Sequence, residues 1–569
     1  MDLKPKTKPN KEQRTIVFVT FESEFAPLGG IAAVMRELPR WMARAEKGRC
    51  VTITPFFREI ARCKPSLFDE IHPTDHEFTI GFGKDPNKIQ HKVQVFQHID
   101  KNGFKTFFLD SAAFFNAPCD CGNPPGLQTP CNPYFDPSNP DQLVQDSLFF
   151  CVAVPTALEK LNLTENLILS LQDWEASCVA LTIREKPEIL SAACVLTLHN
   201  SYDRGLTDDD LRKFSEHHMN HPTDLTEMIP LMDGPICTVS ENFAAELVSD
   251  PLQTDVYAQQ LQDAFHRKKI VGINNGLFAE PDKDYRKAID AARKGDFQQI
   301  IEKKKERRLE LVKVLEEYQP PGAWGTLNLS DFEGPIFLMF GRDDPRQKGY
   351  DLAAAAIKNI PTGKAKYIFT PIPGNDGLNS LRFLEALATE RAGEVRVFPF
   401  RMTKGYIELQ RGSSFIVLPS LYEPFGGATE GYAVGTPVVA RATGGLVQQV
   451  APYPSGCLSL AAQKLSDRFH SRSAEPSGFL FREPELPRED VVAGWQAIVN
   501  GQTADRGKTV LFQAMIQEAT WAFLDAIDLY ANEQIKYAKM VYNGFEMLNL
   551  FSWDRAVREY QRIYDGVCY

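Results

Sequence analysis

A chain of 569 residues exceeds what one hydrophobic core organises, since single cores stop growing at roughly 250 to 300 residues, and two large domains are expected. Apolar residues at 43% and charged residues at 24% exclude a disordered, collagenous or fibrous chain. The net charge of -11 lacks the basic footprint of a nucleic-acid binder, so an anionic ligand must be met by a few local cations and backbone N–H groups.

The opening MDLKPKTKPNKEQR (1–14) reads as a polar tail with no apolar h-region behind it. No run reaches the roughly 18 apolar residues that span a bilayer. No membrane or nucleic-acid partner is expected. The chain reads as cytoplasmic, with organelle import left open where a transit peptide has been removed.

TIVFVTFES (15–23) is a β-branched strand that breaks at Gly29 and Gly30, and IAAVMRELPRWMARA (31–45) follows with helical spacing. CVTITPFF (50–57), KVQVFQHI (92–99), KTFFLD (105–110), LILSLQD (167–173) and ACVLTLHN (193–200) continue the strand series, with helical patterns between several of them. GPICTVSENFAAELVS (234–249) gives a strand, a cap at Ser240 or Asn242, and a helix. This alternation predicts a parallel sheet covered by helices on both faces.

From about 279 to 330 the texture turns charged and helical, and its basic run KKKERR (303–308) reads as a solvated helix face in an exposed connector. A second alternating series follows: PIFLMFGRDD (335–344), YDLAAAAIKNI, KYIFTPIP (366–373), SLRFLEALATERA (380–392), VRVFPF (395–400) and FIVLPS (415–420). Two such halves predict an α/β chain with two Rossmann-like domains and a ligand at the carboxyl ends of the strands.

The eleven cysteines mostly sit alone in apolar runs, as Cys151 and Cys194 do, and read as buried thiols. Cys119, Cys121 and Cys131 cluster, but C-x-C spacing without a nearby histidine fits zinc poorly. No metal ligand set is expected.

Three segments can carry chemistry. The corner at Gly29 and Gly30 offers N–H groups and a helix N-terminus to an anion. Arg342 and Lys348, in GRDDPRQKG, can bracket a diphosphate and neutralise the charge that grows on it as it leaves; Asp343 and Asp344 beside them read as turn formers. LPSLYEPFGGATEGYAVGTPVVARATGGLVQQV (418–450) brings Glu423 and a fan of N–H groups to one helix start. A sugar nucleotide needs both, an acceptor for hydroxyls and donors for phosphate.

With these residues in place the sequence resembles the retaining glycosyltransferases with two Rossmann-like domains, in particular the bacterial glycogen synthases and plant starch synthases. The resemblance covers most of the chain: Glu24 and Pro27 as E-x-x-P, NPYFDPSNPDQL…F (132–149), QDWEASCVA (172–180), TLHNSYDRG (197–205), TVSENFAAE (238–246), INNGL (273–277), the loop Arg342 to Gly349, EPFGG with TGGLVQQV, and FSWDRAVREYQRIY (551–564). It implies a GT-B fold with two domains facing a deep cleft. The expected domains are an N-terminal one over 15–330, which includes the connector, a nucleotide-sugar domain over 331–548, and a helix over 549–569 crossing back to the first.

Several positions depart from that pattern. The lysine of K-x-G-G is missing, because Pro27 and Leu28 run straight into Gly29. Ala33 replaces a usual aspartate, Gln172 stands where H-D-W begins with histidine, and Glu423 and Glu430 are seven apart where related transferases often have eight.

The resemblance implies transfer of glucose from ADP-glucose or UDP-glucose to the non-reducing end of an α-1,4-glucan with retention, using no cofactor or metal. His199, Asp173, Glu423, Arg342 and Lys348 would be catalytic. Gly29, Gly30, Asn275, Gly426, Gly427, Ala428 and Glu430 would join Arg342, Lys348 and Glu423 on the donor. Trp174, Tyr134 and Asn200 would meet the acceptor. Two alternatives remain at this level: a retaining transferase with another acceptor, and a catalytically impaired glucan-binding scaffold.

Overall fold

The computed structural model describes residues 6–84, 88–119, 131–134, 141–374, 377–471, 473–500 and 506–569. They form two compact units that divide after Gly276, with Trp553–Tyr569 belonging to the first.

The first unit is built on a nine-stranded sheet. Its strands are β1 (Thr15–Val19), β2 (Cys50–Pro55), β3 (His72–Phe82), β4 (Ile89–Ile99), β5 (Lys105–Asp110), β6 (Leu167–Gln172), β7 (Ala192–Leu198), β8 (Ile236–Thr238) and β9 (Ile270–Gly272), in the order β3-β4-β5-β2-β1-β6-β7-β8-β9. From β5 through β9 every pairing is parallel. Ile16 to Val19 and Leu167 to Leu171 are buried, as parallel strands covered on both faces must be. At the other edge β3, β4 and β5 run antiparallel. Half of β3 is exposed, so it lacks the continuous apolar run that marks its neighbours and is not predicted.

Residues 6–14, read as a tail, are packed against this unit. Arg14 is buried and paired with Glu46 at 2.7 Å and with Asp565, and Thr7 bridges to Ser191. The C-terminal helix Trp553–Val567 lies on the same unit: Tyr564 donates to Ser170 Oγ at 3.0 Å, and Gln561 to Glu46 Oε1 at 2.7 Å.

The second unit holds a seven-stranded sheet: β10 (Trp324–Leu327), β11 (Ile336–Arg342), β12 (Lys366–Ile372), β13 (Glu394–Val397), β14 (Phe415–Leu418), β15 (Val438–Arg441) and β16 (Gly478–Phe481), in the order β10-β13-β12-β11-β14-β15-β16. Only β10 pairs antiparallel.

The charged connector belongs to this second unit, not to the domain expected over 15–330. In its helix Gln298–Glu317, Ile300, Lys304, Arg307 and Leu311 form a buried stripe at helical spacing. Lys304 Nζ donates to the carbonyls of Arg411 and Ser413, both at 2.8 Å, and to Thr436 Oγ1 at 3.1 Å. Burial pushes its pKa down to about 7. Arg307 pairs with Asp282, Asp284 and Glu310. KKKERR is therefore no solvated face: two of its cations are buried because carbonyl groups and carboxylates are there to receive them.

Candidate active site

In the first unit β1 runs into the segment Thr20–Gly29, and the helix Gly30–Ala45 starts immediately after Gly29. Three N–H groups around this start are already taken. Glu22 Oε1 accepts from Leu28 at 3.0 Å, Gly29 at 2.6 Å and Ala32 at 3.2 Å, and Glu22 Oε2 accepts the Tyr134 hydroxyl at 2.9 Å. A helix N-terminus favours an anion, and here a buried carboxylate of the same chain supplies it. The Gly29 N–H expected for a donor phosphate is thus bound internally. Glu24, the glutamate of the E-x-x-P match, instead pairs with Arg40 at 2.6 Å. The signal for Glu22 was its position seven residues before Gly29, but the motif drew attention to Glu24.

Asp173 follows β6 with φ 57°, a backbone state rare for residues other than glycine. It aims both carboxylate oxygens at the end of β7: Oδ1 accepts the His199 N–H at 2.6 Å, and Oδ2 accepts Asn200 Nδ2 at 3.0 Å. Burial raises the Asp173 pKa, and the charge of Glu22 adds to this. Glu175 is raised in the same way, by burial and then by Asp173.

The His199 ring meets Gln172 Oε1 through Nε2 at 2.8 Å. Gln172 Nε2 is committed to Ser170 O at 3.0 Å and Ser170 Oγ at 2.9 Å, so its carbonyl end must face the histidine. His199 therefore carries its proton on Nε2, and Nδ1 holds the lone pair. Burial lowers its pKa to about 3, which keeps the ring neutral. Gln172, noted in the sequence as a departure, is the residue that sets this tautomer.

The remaining expectations for this unit divide. Asn200 and Tyr134 join the Asp173 and Glu22 groups respectively. Tyr134 does so through its hydroxyl, and residues 135–140 beyond it lie outside the described residues. Trp174, expected on the acceptor, is buried at 5% exposure in a short helical turn, which leaves little of its ring for a sugar. Asn275 is buried at 2% exposure, and its Oδ1 has no hydrogen-bond partner among the described residues.

In the second unit Arg342 ends β11 and its Nη2 donates to Asp344 Oδ2 at 3.2 Å. The loop closes at Gly349 with φ 68°, where an added Cβ would lie 2.3 Å from Pro419 O; only glycine fits both demands. This approach sets Lys348 Nζ 2.6 Å from Glu423 Oε2, an oxygen that also accepts Ser420 Oγ at 2.9 Å. Behind Glu423, Gly445 N–H donates to its carbonyl at 3.0 Å. An added Cβ at Gly444 (φ 48°) would stand 1.7 Å from that carbonyl oxygen.

Gly426 and Gly427 lead into the helix Ala428–Ala433, with Glu430 in its first turn. The Ala428 N–H, expected on the donor, is bound at 3.0 Å by Gln449 Oε1, whose Nε2 donates to Phe425 O at 2.9 Å. Gln449 thus braces the corner from within. Asp344 caps its own turn, accepting from Arg346 N at 3.1 Å, and Asp343 is engaged by Ser380.

In the second unit two cations and a carboxylate stand at the carboxyl ends of parallel strands beside a glycine corner, an arrangement able to meet an anionic ligand. Two family models match the chain. Residues 15–265 match the starch synthase catalytic domain, and residues 328–469 match the glycosyl transferases group 1.

The chain is a glycosyltransferase with the GT-B fold, and it resembles the bacterial glycogen synthases and plant starch synthases. It is similar to glycogen synthase of Fervidobacterium nodosum, 22% identical over 541 residues, which covers 92% of this chain and 97% of that one. Glycogen synthase of Pseudothermotoga lettingae is 23% identical over 564 residues, 95% of this chain and 96% of its own. Among solved structures, the catalytic domain of starch synthase IV from Arabidopsis thaliana, bound to ADP and acarbose, superposes with a TM-score of 0.69 at 17% identity, over 97% of this chain and 99% of that one.

Proposed function

We propose that the protein transfers glucose from ADP-glucose or UDP-glucose to the non-reducing end of an α-1,4-glucan with retention of anomeric configuration. The observation that carries this reading is the Lys348–Glu423 pair at 2.6 Å, with Arg342 on the same loop. A protein that only bound glucan would have no use for a diphosphate clamp. A lysine ammonium has three N–H donors, and one is spent on Glu423.

In this reading Arg342 and Lys348 hold the diphosphate oxygens, and Glu423 accepts from glucose hydroxyls. The bond from C1 of glucose to the phosphate oxygen breaks as the acceptor oxygen bonds to C1 on the same face. The acceptor's proton passes to the departing diphosphate, so no protein nucleophile is needed. The cations stabilise the leaving charge. In the first unit His199 stays neutral as the Nε2–H tautomer. We further propose that the reaction needs no metal and that the protein works in the cytoplasm.

Labelled ADP-glucose and UDP-glucose incubated with glycogen test the reading. Incorporation into polymer from either donor is expected; donor hydrolysis without incorporation, or no turnover, overturns it. α-Amylase digestion of the labelled product tests the linkage.

A further inference from the structure

The connection between β5 and the helix Gln142–Lys160 carries no strand or helix among its described residues. It carries Tyr134, whose hydroxyl is held by Glu22. Three residues before Tyr134, Cys131 is joined to Cys119 as a disulfide. A third sulfur arrives from elsewhere. Cys63 ends the helix Arg58–Cys63, and its Sγ donates to Cys119 O at 3.1 Å. The sulfurs of Cys63, Cys119 and Cys131 all lie within 4.8 Å of one another, Cys119 and Cys131 buried and Cys63 half-buried.

A disulfide needs two sulfurs, and three at one point need another account. Tetrahedral zinc with sulfur ligands at about 2.3 Å sets those sulfurs about 3.8 Å apart, a separation inside the 4.8 Å that encloses this group. Elsewhere Cys50, Cys151, Cys178, Cys194 and Cys237 are buried unbridged thiols, the pattern of a chain kept reduced. The sequence could not show the site, because Cys63 is 56 positions from Cys119. Cys121, the other member of the sequence cluster, lies outside the described residues.

We propose that, in the reduced protein, Cys63, Cys119 and Cys131 bind one zinc ion, which ties the segment carrying Tyr134 to the end of the helix Arg58–Cys63. A dithiol reductant opens the Cys119–Cys131 bond, supplying two electrons and two protons and leaving as its own disulfide. Zinc then binds the thiolates and the thiol protons pass to solvent. The fourth position is left to water or another donor. The role is structural, and it stands apart from the transfer reaction.

Full-length protein reduced with dithiothreitol, loaded with Zn2+ alone and freed of excess tests this by elemental analysis and zinc-edge X-ray absorption. About one zinc per chain, with sulfur neighbours at about 2.3 Å, is expected. Cys63→Ser and Cys119→Ser, checked for folding by circular dichroism, should each lose most of it. Should a variant not fold, the absorption spectrum of the unmutated protein decides alone. No zinc taken up, zinc held without sulfur neighbours, a Cys119–Cys131 disulfide that survives the reductant, or full stoichiometry in folded Cys63→Ser overturns the proposal.

Discussion

Glu22 Oε1 accepts the Gly29 N–H at 2.6 Å, and the same oxygen also accepts from Leu28 and Ala32. The chain that lacks the K-x-G-G lysine thus also carries its own anion where a ligand phosphate was expected. A cation beside that corner would favour a phosphate; a buried carboxylate instead takes three of the corner's N–H groups.

Glu22→Ala should lower stability by about 2 to 4 kcal/mol, because three backbone donors and the Tyr134 hydroxyl lose a charged acceptor. Glu22→Gln keeps one acceptor oxygen and should cost less. Urea midpoints of the two variants check the order, and equal losses would show that the oxygen kept by glutamine holds none of these donors.

Lys348→Ala and Arg342→Ala should each cut turnover by about two to three orders of magnitude, the scale of removing one preorganised charge-stabilising donor. Both side chains sit on a polar loop, so melting temperatures should change little. Glu423→Gln should depress transfer while ADP or UDP binding, measured by calorimetry, stays near the unmutated value.

At Gly444 the strained φ and the 1.7 Å approach to Glu423 O leave no room for a methyl group. Gly444→Ala should displace Glu423 and reduce transfer by about a hundredfold, the cost of a misplacement near 1 Å. Gly427→Ala is the control, since the nearest atom to an added Cβ there is Leu418 Cδ2 at 4.0 Å. Equal losses in both would detach the effect from Glu423.

The lowered pKa of His199, about 3 against 6.5 for a free imidazole, gives a pH signature. The unfolded ring binds a proton below pH 6.5 while the folded ring stays neutral until about 3. Its stabilising contribution is fully present above 6.5 and is lost as pH falls through that window. His199→Gln should lose less stability between pH 7 and pH 5 than the unmutated protein in paired urea titrations. Identical losses would mean that the ring is charged when folded.

Lys304→Met should cost about 2 to 4 kcal/mol by leaving the Arg411 and Ser413 carbonyls without their donor, a loss unexpected for a residue in a run that reads as surface.

The parallel strands were legible because burial on both faces writes a continuous apolar run, as in β1 and β7. The edge strand β3 was not, because half its residues face water. Arg342, Lys348 and Glu423 were legible as charges at strand ends, and the structure brings Lys348 onto Glu423. What the sequence could not give is who holds whom. Gln172 against His199, Glu22 on Gly29, Gln449 on Ala428 and Lys304 on the Arg411 and Ser413 carbonyls are pairings that depend on side-chain direction. KKKERR shows the same limit, for charge alone does not tell a wet helix face from one whose cations find carbonyl groups.

The first unit is written in two pieces, residues up to Gly276 and then Trp553–Tyr569. The late piece supplies Asp565 to the buried Arg14 and Tyr564 to Ser170. On a translating ribosome this reverses the usual order in which the N-terminal domain matures first: the second unit is fully synthesised while the first still waits for its last helix. A nascent chain stalled before residue 553 should therefore carry a protease-sensitive first half, and adding the helix as a separate peptide should protect it.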